Sequence, residues 1–179
     1  MESPAHLRRL GIEDAPDVLA AFASHTDMER QGDVRTLAAA EAYVARLLSP
    51  DRRAVAVVSE GILVGLVVVE VDAANRNGWL SYWMHAGCRG RGWTSRAATT
   101  VADVALTDGG LERLELGHRA NNPSSAAVAR AAGFVPEGVE RGKFLVHGAR
   151  IDVVTYGRLG TDPWPTTPHL PGWARWGEA

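Results

Sequence analysis

Residues 53–72, RAVAVVSEGILVGLVVVEVD, limit what this chain can fold into more than any other stretch. Two β-branched runs flank Glu60-Gly61, the pattern of a hairpin closed by a two-residue turn. The periodicity on either side says what joins that hairpin. Upstream, HLRRLGI (6–12) alternates as a first strand, while EDAPDVLAAFASH (13–25) and TLAAAEAYVARLLS (36–49) carry apolar residues at helical spacing. Asp14 and Pro16 suit the start of the first helix, Thr36 suits the cap of the second, and TDMERQGDV between them reads as a polar loop. Downstream, GWLSYWMH (78–85) is a strand and SRAATTVADVALTDGG (95–110) a helix ended by Gly109-Gly110. LERLELGHR (111–119) alternates as a strand, and NPSSAAVARAAGF (122–134) is a short helix opened by Asn122 and Pro123. Residues 137–159 give two last strands about His147-Gly148. The order β-α-α-β-β-β-α-β-α-β-β predicts an α/β (α+β) chain: a mixed sheet with helices on both faces.

Length and composition then narrow the function. At 179 residues the chain is expected to form one domain. A formal net charge of −2 speaks against a protein devoted to phosphate backbones, so no nucleic-acid partner is expected. No apolar run reaches membrane-spanning length, and MESPAHLRRLG lacks the apolar stretch of a signal peptide. The expectation is a cytoplasmic protein with no membrane partner. Cys88 is the single cysteine, and no Cys/His spacing suits zinc, so no metal is expected. The tail GTDPWPTTPHLPGWARWGEA (160–179) combines four prolines with three tryptophans. It reads as an irregular strap lying on the domain or on a partner subunit, and a homodimer stays open.

The stretch HAGCRGRGWTSRA (85–97) sits between a strand and a helix. A glycine-rich turn there presents unpaired N–H groups at the positive end of the helix dipole, where phosphate oxygens satisfy them. Gly90 and Gly92 would let a ligand approach the backbone, with Arg89 and Arg91 adding charge at the rim. No GxxxxGK[ST] string occurs, and Ser95 stands where a dinucleotide fingerprint would place its third glycine. RGRGWT (89–94) instead fits the Arg/Gln-x-x-Gly-x-Gly/Ala signature of acyl-CoA-dependent N-acyltransferases at Arg89 and Gly92, with Thr94 in place of the final small residue. From about residue 5 to 159 the chain resembles the GNAT superfamily, in the branch typified by bacterial ribosomal-protein N-terminal acetyltransferases (the Rim type). WLSYWMHAGCRGRGWTSRA resembles that branch's fourth strand, phosphate loop and third helix. LERLELGHRANNPSSAAVARAAGF resembles its fifth strand and following helix, with Asn122, Ser125, Gly133 and Phe134 in register. The resemblance implies a GNAT domain over 1–159, with 160–179 as a Pro/Trp-rich strap outside it.

What the resemblance implies for the site can be stated residue by residue. The sheet is expected to be mostly antiparallel and splayed between its fourth and fifth strands, with acetyl-CoA in the notch. The pantetheine arm would pair with the fourth strand near Met84 and His85. The pyrophosphate would sit over the amides of Arg89, Gly90, Arg91, Gly92, Trp93 and Thr94, with a hydroxyl from Ser95 and further charge from Arg96. Asn122 would hold the cofactor or the bulge through its amide, and Ser125 would give a proton or a hydrogen bond to the departing thiolate. Asn122 equally fits a helix N-cap and Ser125 a first-turn hydroxyl. The amine must lose a proton before attack, and an oxyanion needs a backbone donor near Met84 or His85. For the base, Glu115 is favoured over His118, which period two puts on the opposite face, with His85 a third candidate. The tyrosine that many members carry after the Gly-Phe helix is absent, Phe144 stands near a position that is glutamate in some Rim-type sequences, and Glu140 could replace it only through a shifted strand. Cys88 lacks an obvious base and reads as packing. Of Tyr82 and Trp83, one is expected in the core and the other on the acceptor cleft. Asp27, Glu29 and Asp33 are expected to draw a cationic amine. The acceptor is an amine, either a small molecule or a protein N-terminus. The competing readings are a non-catalytic coenzyme A-binding or interaction module, a nucleic-acid binder and a dinucleotide-dependent oxidoreductase.

Overall fold

The computed structural model describes residues 5–177. Its elements follow the expected order: β1 (His6–Arg9), α1 (Ala15–Ala23), α2 (Leu37–Leu47), β2 (Arg52–Ser59), β3 (Ile62–Asp72), β4 (Asn77–Met84), α3 (Trp93–Leu106), β5 (Arg113–Arg119), α4 (Pro123–Ala131), β6 (Val135–Val146) and β7 (Ala149–Leu159). Two differences from the expected elements have a physical reason. The loop expected between α1 and α2 contains a 3-10 turn, Thr26–Gln31, whose first residues are held by His25 Nδ1 accepting from the Asp27 amide. Helix α3 begins at Trp93 because Gly92, left-handed at φ +73°, serves as its N-cap, and it ends at Leu106, before the glycine pair.

The seven strands form one sheet in the order β1-β2-β3-β4-β5-β7-β6. All neighbours are antiparallel except β4 and β5. Both hairpin turns put two successive residues at positive φ, Glu60-Gly61 and His147-Gly148, the geometry that matches strand twist. Period two then divides the core. Val55, Val57, Val67, Val69, Leu80 and Met84 pack with α3 and α4, whereas Ala54, Ala56, Val58, Leu66, Val68 and Trp83 pack with α1 and α2.

The tail has no regular structure, as four prolines dictate, yet it is packed on its own domain. Leu170 and Trp173 are buried against the α3 side of the sheet. The Leu7 amide donates to the Pro171 carbonyl, and the Leu170 amide to Thr100 Oγ1. Arg158, fully buried on β7, donates to Asp103 and to the Ala132 carbonyl, and His169 closes on the other Asp103 oxygen at 2.6 Å. No helix among the described residues is long and apolar enough to cross a membrane.

Candidate active site

The cleft begins where β4 and β5 part. They pair over only three positions, Asn77–Trp79 against Arg113–Glu115. Beyond them β4 stays with β3 as far as Met84, and β5 stays with β7 as far as Arg119. The amide of His85 donates to the Val64 carbonyl, so by alternation the amides of Tyr82 and Met84 turn to the open edge. A cavity of about 420 Å³ runs from Tyr82, Trp83 and Met84 over residues 88–95 to Asn122, Ser124 and Ser125. A second, of about 190 Å³, continues between Leu80–Tyr82 and Leu116–Arg119 and is closed by Phe144. Tyr82, Asn122, Ser125, Arg30 and Gln31 line both.

At one end of the larger cavity lies the glycine-rich turn. Gly90 (φ +78°) and Gly92 (φ +73°) adopt left-handed backbone, and a Cβ on either would meet no protein atom within 4 Å. The left-handed backbone favours glycine there, and the space beside it is open at the larger cavity. The first amide of α3 bonded to the turn before it is that of Arg96, to the Gly92 carbonyl, so those of Trp93, Thr94 and Ser95 remain directed at the cavity mouth. Arg91 donates to the Gly87 carbonyl and stacks over the Trp93 ring at 5.0 Å. Amide donors, open space and a helix N-terminus fit a pyrophosphate.

Two arginines assigned to phosphate are used elsewhere. Arg89 grips Asp27 with both terminal nitrogens at 2.7 and 2.9 Å and donates through Nε to the Met84 carbonyl. The Asp27 carboxyl is correspondingly held below its ordinary range, chiefly by that hydrogen bond. Arg96 donates to the Pro168 and His169 carbonyls of the tail. The other acids of the loop are likewise matched, since Arg35 pairs with Asp33 and with Glu29. Of the three acids only Asp27 lines either cavity, and Arg89 engages it.

At the floor of the cleft, Asn122 Oδ1 caps α4 by accepting from the Ser125 amide at 3.2 Å. Tyr82 Oη donates to the Ser125 carbonyl at 3.0 Å and lies 3.1 Å from Ser125 Oγ. Burial pushes the Tyr82 phenol up to about 12, so it stays protonated. Its neighbour Trp83 faces the other way and donates to Tyr43 Oη at 3.0 Å inside the α1–α2 core.

The proton-acceptor assignments change. Glu115 sits in the paired segment below the opening, opposite Trp79 and Gly157, and accepts from Arg113. It lines neither cavity, because it lies in the stretch of β5 still paired to β4, where it joins an ion-pair chain through Arg113 to Glu137. The His85 side chain is also outside, its Nδ1 accepting from the Gly87 amide. Of the two β5 candidates, His118 is the one that lines the cleft. Nδ1 there donates to the Arg119 carbonyl, which leaves Nε2 to accept from Tyr156 Oη at 3.2 Å. Glu140 pairs with Lys143 away from the cleft, and Phe144 forms the wall. Cys88 lines the larger cavity and packs partly against the core. Arg30, Gln31 and Arg119 also line the cleft; nothing local in the sequence marks them, since a 3-10 turn and a strand end converge there only in three dimensions.

Comparison with known proteins gives the chain's family and fold. The family model described as "Acetyltransferase (GNAT) domain" matches residues 5–135. YdaF of Bacillus subtilis is 29% identical over 101 residues, 56% of this chain and 55% of its own length. The ribosomal-protein-serine acetyltransferase of Escherichia coli is 28% identical over 101 residues, 56% of each chain. The chain thus spans about half the length of the curated relatives it matches. Among solved structures, the ribosomal-protein α-N-acetyltransferase RimL in complex with coenzyme A superposes with a TM-score of 0.80 at 18% identity, over 87% of this chain and 94% of that one. That likeness is one of fold.

Proposed function

This chain belongs to the GNAT acetyltransferase family, and from that membership and its cleft we propose that it transfers an acetyl group from acetyl-CoA to a primary amine by direct attack. The observation that carries the reading is the continuity of one cavity. It joins the unbonded amides at the start of α3, the open edge of β4 and the Tyr82–Ser125 pair. When bound, acetyl-CoA supplies a thioester carbonyl open to nucleophilic attack.

The residues divide the work. The amides of Trp93, Thr94 and Ser95 hold anionic oxygens without ordering long side chains. The Met84 amide, on the open edge, is the donor for a developing oxyanion; the His85 amide is not, because it is bonded to Val64. Ser125 donates a hydrogen bond from its hydroxyl to the departing thiolate, whose charge it stabilises, and the protonated Tyr82, 3.1 Å away, fixes the serine in place. Among the residues lining the two cavities, Asp27 carries the one carboxylate, and Arg89 engages it. With that carboxylate engaged and His118 Nε2 occupied by Tyr156, the amine gives its proton to water at the mouth of the cleft. Names of relatives support a ribosomal protein N-terminus as acceptor, and the size of the acceptor cavity is equally suited to a small amine.

The test is binding followed by transfer. Coenzyme A should bind the purified protein, measured by calorimetry, and acetylated product should appear by mass spectrometry from a panel of amines and peptides. Gly92→Val should weaken coenzyme A binding about tenfold or more, with a stability cost of about 1–2 kcal/mol from the left-handed backbone. No binding at millimolar coenzyme A overturns the reading. Binding without transfer to any amine would leave the non-catalytic alternative.

A further inference from the structure

The acceptor side of the cleft is cationic. Arg30, at the end of the 3-10 turn, and Arg119, the last residue of β5, both line the smaller cavity beside Gln31, Asn122 and Phe144. Neither arginine makes an ion pair with a described residue, although the acids nearest in sequence to Arg30 are all engaged by Arg89 or Arg35. Arg119 is held in place, its guanidinium stacked 5.1 Å over the Phe144 ring. Burial, together with the charge of Arg30, makes the charged form of Arg119 harder to keep than usual. Two like charges directed into one half-enclosed space, on a chain whose net charge is −2, are a cost unless an anion enters.

We infer that the acceptor amine carries an anionic group, a carboxylate or phosphate close to its amino group, bound between Arg30 and Arg119. This rests on the acetyl-transfer reading for the amine's fate, but the anion subsite itself rests on the cavity alone. Guanidinium forks suit carboxylate and phosphate oxygens, often in pairs of parallel hydrogen bonds. Phe144 orients the Arg119 plane, which explains an aromatic residue at a wall position with 42% exposure. A polyamine, by contrast, would bring positive charge against both arginines.

The experiment uses the full-length protein with coenzyme A or acetyl-CoA. Free amino acids and phosphoserine are compared with their uncharged amide or alcohol counterparts. Tripeptides with Asp or Glu at the second position are compared with Asn or Gln versions, which separates small-molecule from protein acceptors. The anionic member of each effective pair should bind about tenfold or more tightly and be acetylated with correspondingly higher kcat/KM. Arg119→Met and Arg30→Met should each abolish most of that preference, and Arg119→Met, which lines only the smaller cavity, should leave coenzyme A affinity within twofold. Equal use of charged and uncharged amines, or a preference that survives both substitutions, overturns the inference and leaves acetyl transfer standing. Anion-dependent binding without acetylation would support the subsite and sink the transfer reading.

Discussion

Tyr82 and Trp83 are neighbours with opposite tasks, and the difference lies in which layer each side chain enters. Trp83 satisfies its indole N–H on Tyr43 inside the α1–α2 layer, with Phe22 edge-on at 5.7 Å, and is structural. Tyr82 reaches across the opening to α4 and fixes both the carbonyl and the hydroxyl of Ser125. Its proton is retained up to about pH 12, so a pH–rate profile should show no falling limb from this group in the working range. Tyr82→Phe keeps the ring and deletes the hydroxyl. It should lower kcat about tenfold to a hundredfold, the range of positioned proton donors, with coenzyme A affinity little changed. Ser125→Ala in the same background should add little, because the pair acts as a unit. Full additivity of the two losses, measured by steady-state kinetics, would argue that the hydroxyls act separately.

At the scale of elements, the cleft is made by two strand ends and two helix starts. Strands β4 and β5 separate after three paired positions, and the N-termini of α3 and α4 both lie at the gap. The two helices differ in how they begin. Helix α3 has a glycine cap whose side supplies no acceptor, so its amides are left for a ligand. Helix α4 has Asn122, which takes the Ser125 amide for itself, and Pro123, which has no amide to satisfy. The first start is built to bind and the second to hold a floor rigid. Asn122→Ala should therefore cost about 1 kcal/mol in urea unfolding, and Asn122→Ser should restore most of it. An Asn122→Ala protein of unchanged stability would remove the cap from this account.

Taken whole, the molecule is a twisted sheet with α1 and α2 on one side and α3 and α4 on the other, fastened by the tail. Residues 160–177 run over the α3 side, and none of them lines either cavity. Leu170 and Trp173 complete the core there, and the buried Arg158–Asp103 pair with His169 ties β7, α3 and the tail together. Trp173→Ala should lower unfolding stability by about 3–5 kcal/mol, read from the urea midpoint, while coenzyme A affinity of the folded protein is unchanged. A loss of affinity without loss of stability would mean that the tail acts on the site.

The sequence by itself determined the order and kind of the elements, because period two and period 3.6 are local properties of the chain. It also determined the position of the glycine turn, because strand, glycines and helix start lie within a few residues of one another. Asn122 as a cap was legible for the same reason. Tertiary structure decided which of Glu115 and His118 reaches the cleft, since it set the point, just past Glu115, where β5 parts from β4. It also decided the use of Arg89, whose partner Asp27 is 62 residues away in the chain, and the meeting of Arg30 with Arg119. Charges act through space and take whatever partner the fold brings near, so their roles are fixed only when distant segments are in place.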